Sequence, residues 1–320
     1  MPDTLQAESI LDVRENEEIA NPTRLAATDG GFALYDAGTG MVNIYSEEAE
    51  LTASFGGRGR GPGEFQSVSA LAYRNGLVLV SDSDLLRLTS FGQNGNVERT
   101  VDLEAALYAI DTGILSSQSF LVPTNGQQES LALYVDRENG SEFRFGEPVV
   151  EAPGVADFNS WQKDLSSGTV PDFFRNRVAV SGRDSLLYLF LQTEGVLRQY
   201  DSGGNLTWER RFSERPEFRD EFDRFVEQNR DNEPGEMYML QYAYEMQQTD
   251  RGVYLFLRIP PAYPPTLLFV DHSNSGSRLI RIEGMDPRPS HFSIAPSGNR
   301  VYFLNIGEGV VYRTDLPVQG

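Results

Sequence analysis

The chain contains no cysteine, two histidines and, among its 27 cationic side chains, a single lysine, Lys163. The first absence removes disulfides, thiolate nucleophiles, Cys zinc sites and iron–sulfur clusters together, and two histidines, His272 and His291, rule out any three-His metal site. No stretch approaches the roughly 18 uninterrupted apolar residues that a membrane helix needs. The opening MPDTLQAESI lacks the apolar core of a signal peptide. Positive charge is scarce as well: 47 Asp and Glu outnumber 27 Lys and Arg, leaving a formal net charge of −20 over 320 residues. Such a field repels nucleic acid and anionic lipid surfaces. What is present is ample apolar material, 39% hydrophobic and 11% aromatic, enough for a large core. An acid excess with arginine in place of lysine is a halophilic-type composition, in which carboxylates hold hydration and salt screens their repulsion. A GC-rich genome would also favour arginine.

Self-similarity organises the rest. GFALYDAGTGMVNIYSEEAELTASFG (31–56) aligns with GLVLVSDSDLLRLTSFGQNGNVERTV (76–101), each an apolar strand, a polar turn, an alternating strand, a turn and a third strand. The unit returns at 185–212, 252–282 and 299–316, with a weaker copy over about 105–149 whose ILSSQSFLVP reads as an irregular second strand. One more strand ending in a turn signal precedes each copy: RLAATDG, ALAYRNG, LYAIDTG, RVAVSGRD, YEMQQTDRG and FSIAPSGN. Six units of four strands at a spacing of about 50 residues predict an all-β, six-bladed β-propeller with four antiparallel strands per blade.

The expected organisation is a single β-propeller domain over 1–320, with blades at about 20–56, 66–103, 105–149, 173–212, 238–283 and 288–316. The last unit runs out after three strands, so a blade-closing strand at about 5–14 (LQAESILDVRE) is expected to complete it and leave no open edge in the ring. LYDAGTGMVNIY (34–45) and VSDSDLLRLTSFG (80–92) resemble the strand–turn–strand of NHL-type repeats, and FGGRGRGPGEF (55–65) is similar to the Gly-rich connector of the bacterial six-bladed propellers related to them. The arginine that the resemblance implies after the second turn is Arg87 in blade 2 but Met41 in blade 1. The resemblance speaks to fold rather than activity.

Two insertions, 150–172 and 213–237, fall between the outer strand of one blade and the inner strand of the next. In the second, Phe218, Phe222, Phe225 and Val226 recur with helical spacing, Ser213 can cap, and Pro216 suits a first turn. Both insertions, the 58–65 loop and the Pro-rich turn 258–266 are expected on one face of the disc, where functional loops collect.

Candidate ligand residues follow from that placement. Arg24, Ser69, Tyr108, Arg175 or Arg177, Tyr242 and His291 stand at the inner-strand starts, around the mouth of a central channel. Arg58 and Arg60, interleaved with glycines, suit an anion-binding nest, or else a structural connector with Glu64 pairing an arginine. Arginine forks and tyrosine rings suit a carboxylate, a phosphate or a sugar. Lactonase- and esterase-type propellers hold a calcium ion at this level with a ring of oxygen ligands; here only Asn176 offers itself, so no cofactor is expected, the alternative being one Ca²⁺ on the axis. Asp82 and Asp84 read as turn residues, His272 as an exposed turn residue, and neither histidine has an evident partner. No G-x-S-x-G or other catalytic set is legible.

The expectation is a monomeric, non-catalytic binding or scaffold propeller, periplasmic or extracellular with its signal segment absent from this sequence, that holds a partner protein or a small polar or anionic ligand. The alternatives are a propeller-type hydrolase or lyase with a channel metal or His291 as base, and the cytoplasm of a salt-accumulating organism.

Overall fold

The computed structural model describes residues 3–15, 19–103, 113–151, 158–183, 185–230, 238–261, 263–285 and 289–317. Two short strands open the chain, β1 (Asp3–Gln6) and β2 (Glu8–Asp12). Blade 1 follows as β3 (Pro22–Thr28), β4 (Gly31–Asp36), β5 (Met41–Ser46) and β6 (Leu51–Gly56), and blade 2 as β7 (Val68–Arg74), β8 (Leu77–Asp82), β9 (Arg87–Phe91) and β10 (Val97–Asp102). Blade 3 holds β11 (Gly113–Ile114), β12 (Ser119–Pro123), β13 (Ala132–Asp136) and β14 (Ser141–Phe145). The ILSSQS stretch there is a turn: Ile114 ends β11, and Ser116 Oγ accepts from the Ser119 N–H at 3.0 Å.

Helices α1 (Phe158–Ser166) and α2 (Asp172–Arg175) lead into blade 4, made of β15 (Val178–Arg183), β16 (Leu186–Leu191), β17 (Val196–Asp201) and β18 (Leu206–Arg211). Helix α3 (Pro216–Arg230) precedes blade 5, with β19 (Ala243–Gln248), β20 (Gly252–Leu257), β21 (Thr266–Asp271) and β22 (Ser277–Glu283). Blade 6 has β23 (His291–Ile294), β24 (Arg300–Asn305) and β25 (Val310–Asp315). Among the described residues no helix is long and apolar enough to cross a membrane.

The strand sequences follow their radial position. Second strands such as β4 (FALY) and β20 (GVYLFL) are buried along their whole length because both of their faces meet a neighbouring blade. Outermost strands β10 (VERTVD) and β18 (LTWERR) carry three charged residues each and are mostly exposed. The apolar side chains gather into six clusters, one at each blade boundary, including that between blades 6 and 1, where Phe32 meets Tyr302 at 5.2 Å between ring centroids. The ring is therefore closed by packing as well as by strand pairing.

Strand β2 pairs antiparallel with β25, Glu8 facing Arg313 and Asp12 facing Val310, and supplies the fourth strand of blade 6. The sequence reading placed one closing strand at about 5–14, but the segment divides between two blades. Residues 3–6 form β1, which lies parallel to β22 as a fifth strand of blade 5, with Asp3 facing Ile280. The switch occurs at Ala7, whose N–H donates to the Glu283 carbonyl at 2.8 Å. Arg278 pairs with Asp3 at 3.0 Å on one side of the switch and Arg313 with Glu8 on the other.

Turn chemistry is carried by carboxylates. Burial alone would raise the pKa of Asp36, but donors from the Ala20, Asn21 and Gly38 N–H groups and the Thr39 hydroxyl outweigh it and hold it below the usual carboxylate range. Asp271, the last residue of β21, is held at about 2: its partial burial is more than offset by the Ser273 hydroxyl and the Ser275 and Gly276 N–H groups. A depressed folded pKa stabilises the fold above the unfolded value of about 4, and that contribution fades as pH falls towards 2. Asp271→Asn should therefore lower stability at neutral pH, by at most about 1 kcal/mol given the site's contact with water. It should also flatten the acid limb of a melting-temperature titration between about pH 4 and 2. An acid limb unchanged in the variant would assign the acid sensitivity elsewhere.

Candidate ligand-binding site

The inner strands β3, β7, β11, β15, β19 and β23 enclose a cavity of about 230 Å³ on the ring axis. Side chains of one inner strand bind the backbone of the next. Ser181 Oγ accepts from the Gln248 N–H at 3.1 Å, Gln247 Oε1 from the Ile294 N–H at 2.8 Å, and Ser293 Oγ from the Ala27 N–H at 2.8 Å. Arg24 continues the sequence, its Nε donating to the Ser69 carbonyl at 2.9 Å and Nη1 to the Thr23 carbonyl at 2.7 Å. These bonds satisfy strand edges that have no ladder partner across the axis.

Polar groups at the loop-side mouth come from different blades. Arg24 reaches in from β3, Glu245 from β19 and His291 from β23. His291 Nδ1–H donates to Glu245 Oε1, and Glu245 Oε2 accepts from the Phe292 N–H at 2.9 Å. That leaves His291 Nε2 without a partner among the described residues. Register shifts at Pro22/Arg24, Val68/Ala70 and Ala243/Glu245 mark bulges at the start of β3, β7 and β19. Bulges re-aim side chains beside sites, and here three of them ring the same mouth.

The candidate residues read from the sequence are dispersed by the fold. Arg24, Ser69 and His291 line the cavity. Arg24 also joins Arg58, Tyr35 and Asp84 in a cleft that opens on the loop face between blades 1 and 2. Tyr108 lies outside the described residues. Arg175 sits away from the channel, held by Glu194 at 2.9 Å and Asp172 at 3.5 Å. Arg177 is likewise absent from the cavity wall, its carbonyl accepting from the Gln192 N–H at 2.9 Å. Tyr242 belongs to the core between blades 4 and 5, its ring 4.9 Å from that of Phe218, and burial pushes its hydroxyl pKa upward.

Asn176, considered as an oxygen ligand, is fully buried and committed to the 149–150 backbone, accepting from the Val149 N–H at 2.9 Å and donating to the Val150 carbonyl at 2.9 Å. Asp82 caps its turn, accepting from Gln66, Asp84 and Leu85 N–H groups at 2.7–3.0 Å.

The 58–65 loop folds around the chain's own carboxylate. Glu64 Oε2 accepts from the Gly61 N–H at 2.7 Å and crowds Gly59, where any Cβ would collide with it. Glu64 thus binds backbone rather than an arginine. Arg87 fastens the loop from blade 2, donating to the Gly61 and Glu64 carbonyls, while Arg58 donates to Ala37 and Gly38 carbonyls at 2.7 and 3.0 Å. Arg60 is exposed.

Both histidines have partners, contrary to the sequence reading. His272 is not an exposed turn residue but a bridge between blades 4 and 5. Its Nε2–H donates to the Thr249 carbonyl at 2.8 Å, and its Nδ1 accepts from the Tyr188 hydroxyl at 2.6 Å. Burial pushes that tyrosine up to about 12.

Among the described residues no group of three or more Asp, Glu or His side chains is arranged to hold a metal ion. Both oxygens of Glu245 are already engaged, so among the described residues the cavity wall offers no donor set for a hard cation that takes six or more oxygens. Sequence reasoning missed Glu245 and Arg74. Only the position of Arg74, at the end of an inner strand before Asn75-Gly76, carried a signal for it.

The chain is similar in fold to a candidate exported protein of Bacteroides fragilis, at 8% identity, 99% of each chain and a TM-score of 0.57. It is also similar to virginiamycin B lyase from Staphylococcus aureus, at 10% identity, 98% of this chain, 99% of the other and a TM-score of 0.52. No family model and no curated protein matches the sequence. At such identities the likeness establishes the β-propeller fold and nothing finer.

Proposed function

We propose that this protein is a non-catalytic binding propeller, related to the bacterial NHL-type propellers, that holds a small polar or anionic ligand in its central channel, with the loop face as the approach. The observation that carries this reading is Arg24, one side chain shared by the axial cavity and the loop-face cleft, with His291 and Glu245 on the same cavity wall. A mouth where a guanidinium converges with an imidazole oriented by Glu245 suits a ligand with several polar groups. A thermal-shift screen of small carboxylates, sugar phosphates and neutral sugars tests it. At least one class should stabilise the protein, and Arg24→Met should weaken its apparent affinity by about tenfold, the scale of one charge-assisted contact. Unchanged affinity in Arg24→Met would remove the mouth from the binding site.

The His291–Glu245 pair favours a second reading, a hydrolase or lyase in which Nε2 takes a proton while Glu245 orients the ring. Turnover of a lactone or ester panel that disappears in His291→Ala would establish it over simple binding.

A further inference from the structure

The opposite end of the channel carries a cation that the fold does not neutralise. Arg74 ends β7 on the face away from the large loops, just before a tight turn made by Asn75 (φ 52°) and Gly76 (φ 81°). Seven residues of strand separate the mouth from this point, roughly 20 Å at about 3.3 Å per residue. Arg74 forms part of the cavity wall. Its Nη1 donates to the Tyr73 carbonyl at 2.9 Å, its buried Nε has no partner, and among the described residues no carboxylate pairs with it. Arg183, at the matching end of β15, adds like charge and is itself paired with Asp250 at 3.0 Å. Burial first, and then the charge of Arg183, depress the pKa of Arg74 to about 10.

An unpaired guanidinium in a confined site is a cost to the fold, because it has lost water without gaining an anion. The arginine nearest to it, Arg183, is occupied by Asp250, and Arg24, at the other mouth of the channel, by carbonyls. In a chain with 47 acidic residues the lack of a partner for Arg74 among the described residues points to a partner that comes from outside. We propose that this end of the channel seats the oxyanion of a small ligand, a carboxylate or a phosphate, on the guanidinium of Arg74. A guanidinium carries N–H donors in a planar fork that a carboxylate or phosphate accepts. A cavity of about 230 Å³ is small beside the roughly 300–1,000 Å³ of sites for drug-sized ligands, which suits a compact acid. The anionic exterior excludes large polyanions, and the local cation at the axis selects what enters.

This assignment rests on the channel reading, and calorimetric titration of the whole chain with inorganic phosphate, succinate and glucose separates the two. Phosphate or succinate should bind with one site per chain. Arg74→Met should weaken that binding by about 10- to 100-fold, and Arg74→Lys, which keeps charge without the fork, by less. Without anion, Arg74→Met should melt at or above the wild-type temperature, because an apolar side chain replaces an unpaired charge. A clear loss of anion-free stability in both variants, or undiminished anion affinity in Arg74→Met, would overturn the assignment and make Arg74 structural. Binding of glucose without either anion would overturn the oxyanion seat and leave the channel reading standing. No binding of any probe would overturn both.

Discussion

Removal of residues 1–12 should cost the protein most of its stability. The deletion takes the fourth strand from blade 6 and the fifth from blade 5, exposing the edge of β25, whose VVYRTD sequence is largely buried when β2 covers it. Leu11 leaves the cluster between blades 6 and 1, Leu5 and Ala7 leave that between blades 5 and 6, and the Arg278–Asp3 and Arg313–Glu8 pairs are lost. The lost burial and ladder bonds together are worth about 5 kcal/mol, comparable to the whole stability of many domains. A melting temperature lower by about 10 °C, with association through the bared edge visible on size exclusion, is the expected outcome. Deleting 1–6 alone removes β1 but not β2 and should cost less than half as much. A full truncation that melts within about 2 °C of the intact chain would mean that the side-chain clusters alone close the ring.

Phe225→Ala should be the most damaging single substitution in α3, destabilising by about 3–5 kcal/mol. The helix invites two interpretations from sequence, a docking surface or an extension of the core, since four apolar residues at helical spacing serve either. The structure decides for the inner face: Phe218 is 1% exposed and Phe225 fully buried, packed with Leu165 of α1 and Tyr242. Phe222, only partly buried 5.8 Å from Phe225, should cost clearly less when truncated. Chemical denaturation of both variants measures the difference. A loss below about 1 kcal/mol for Phe225→Ala would show that α3 rests on the blades without contributing to their stability.

These two effects mark what was legible in the residues and what was not. Period-two alternation between Gly, Asn and Asp turns is a strong local signal, and the double burial of second strands such as LVLV and LYLFL repeats it in every blade. The fold class follows from such repetition. The parallel docking of β1 does not, because four residues, DTLQ, carry no pattern that distinguishes one blade edge from the next.

Side-chain direction near the channel mouth was harder to read for a physical reason. Bulges at the start of β3, β7 and β19 shift the register, and one residue of shift moves a side chain to the opposite face. Tyr242 consequently lies in the core between blades while Glu245, three positions on, faces the axis. His272 looked exposed because its neighbours DHSNSG are turn residues, yet its partners Tyr188 and Thr249 lie 84 and 23 residues away and left no trace near it. The glycines at 57–63 serve an anion nest or a structural connector equally well in the sequence, and the carboxylate that the Gly61 N–H binds is the chain's own Glu64.

The net charge of −20 describes the outside of the disc, whereas the axis has its own electrostatics, set by Arg24, Arg74, Glu245 and His291. The most direct test of the account is a crystal structure of the protein soaked with succinate or phosphate. The probe is expected inside the ring, its oxyanion on Arg74. Ordered water throughout the channel, with the probe bound only on the outer rim, would contradict it.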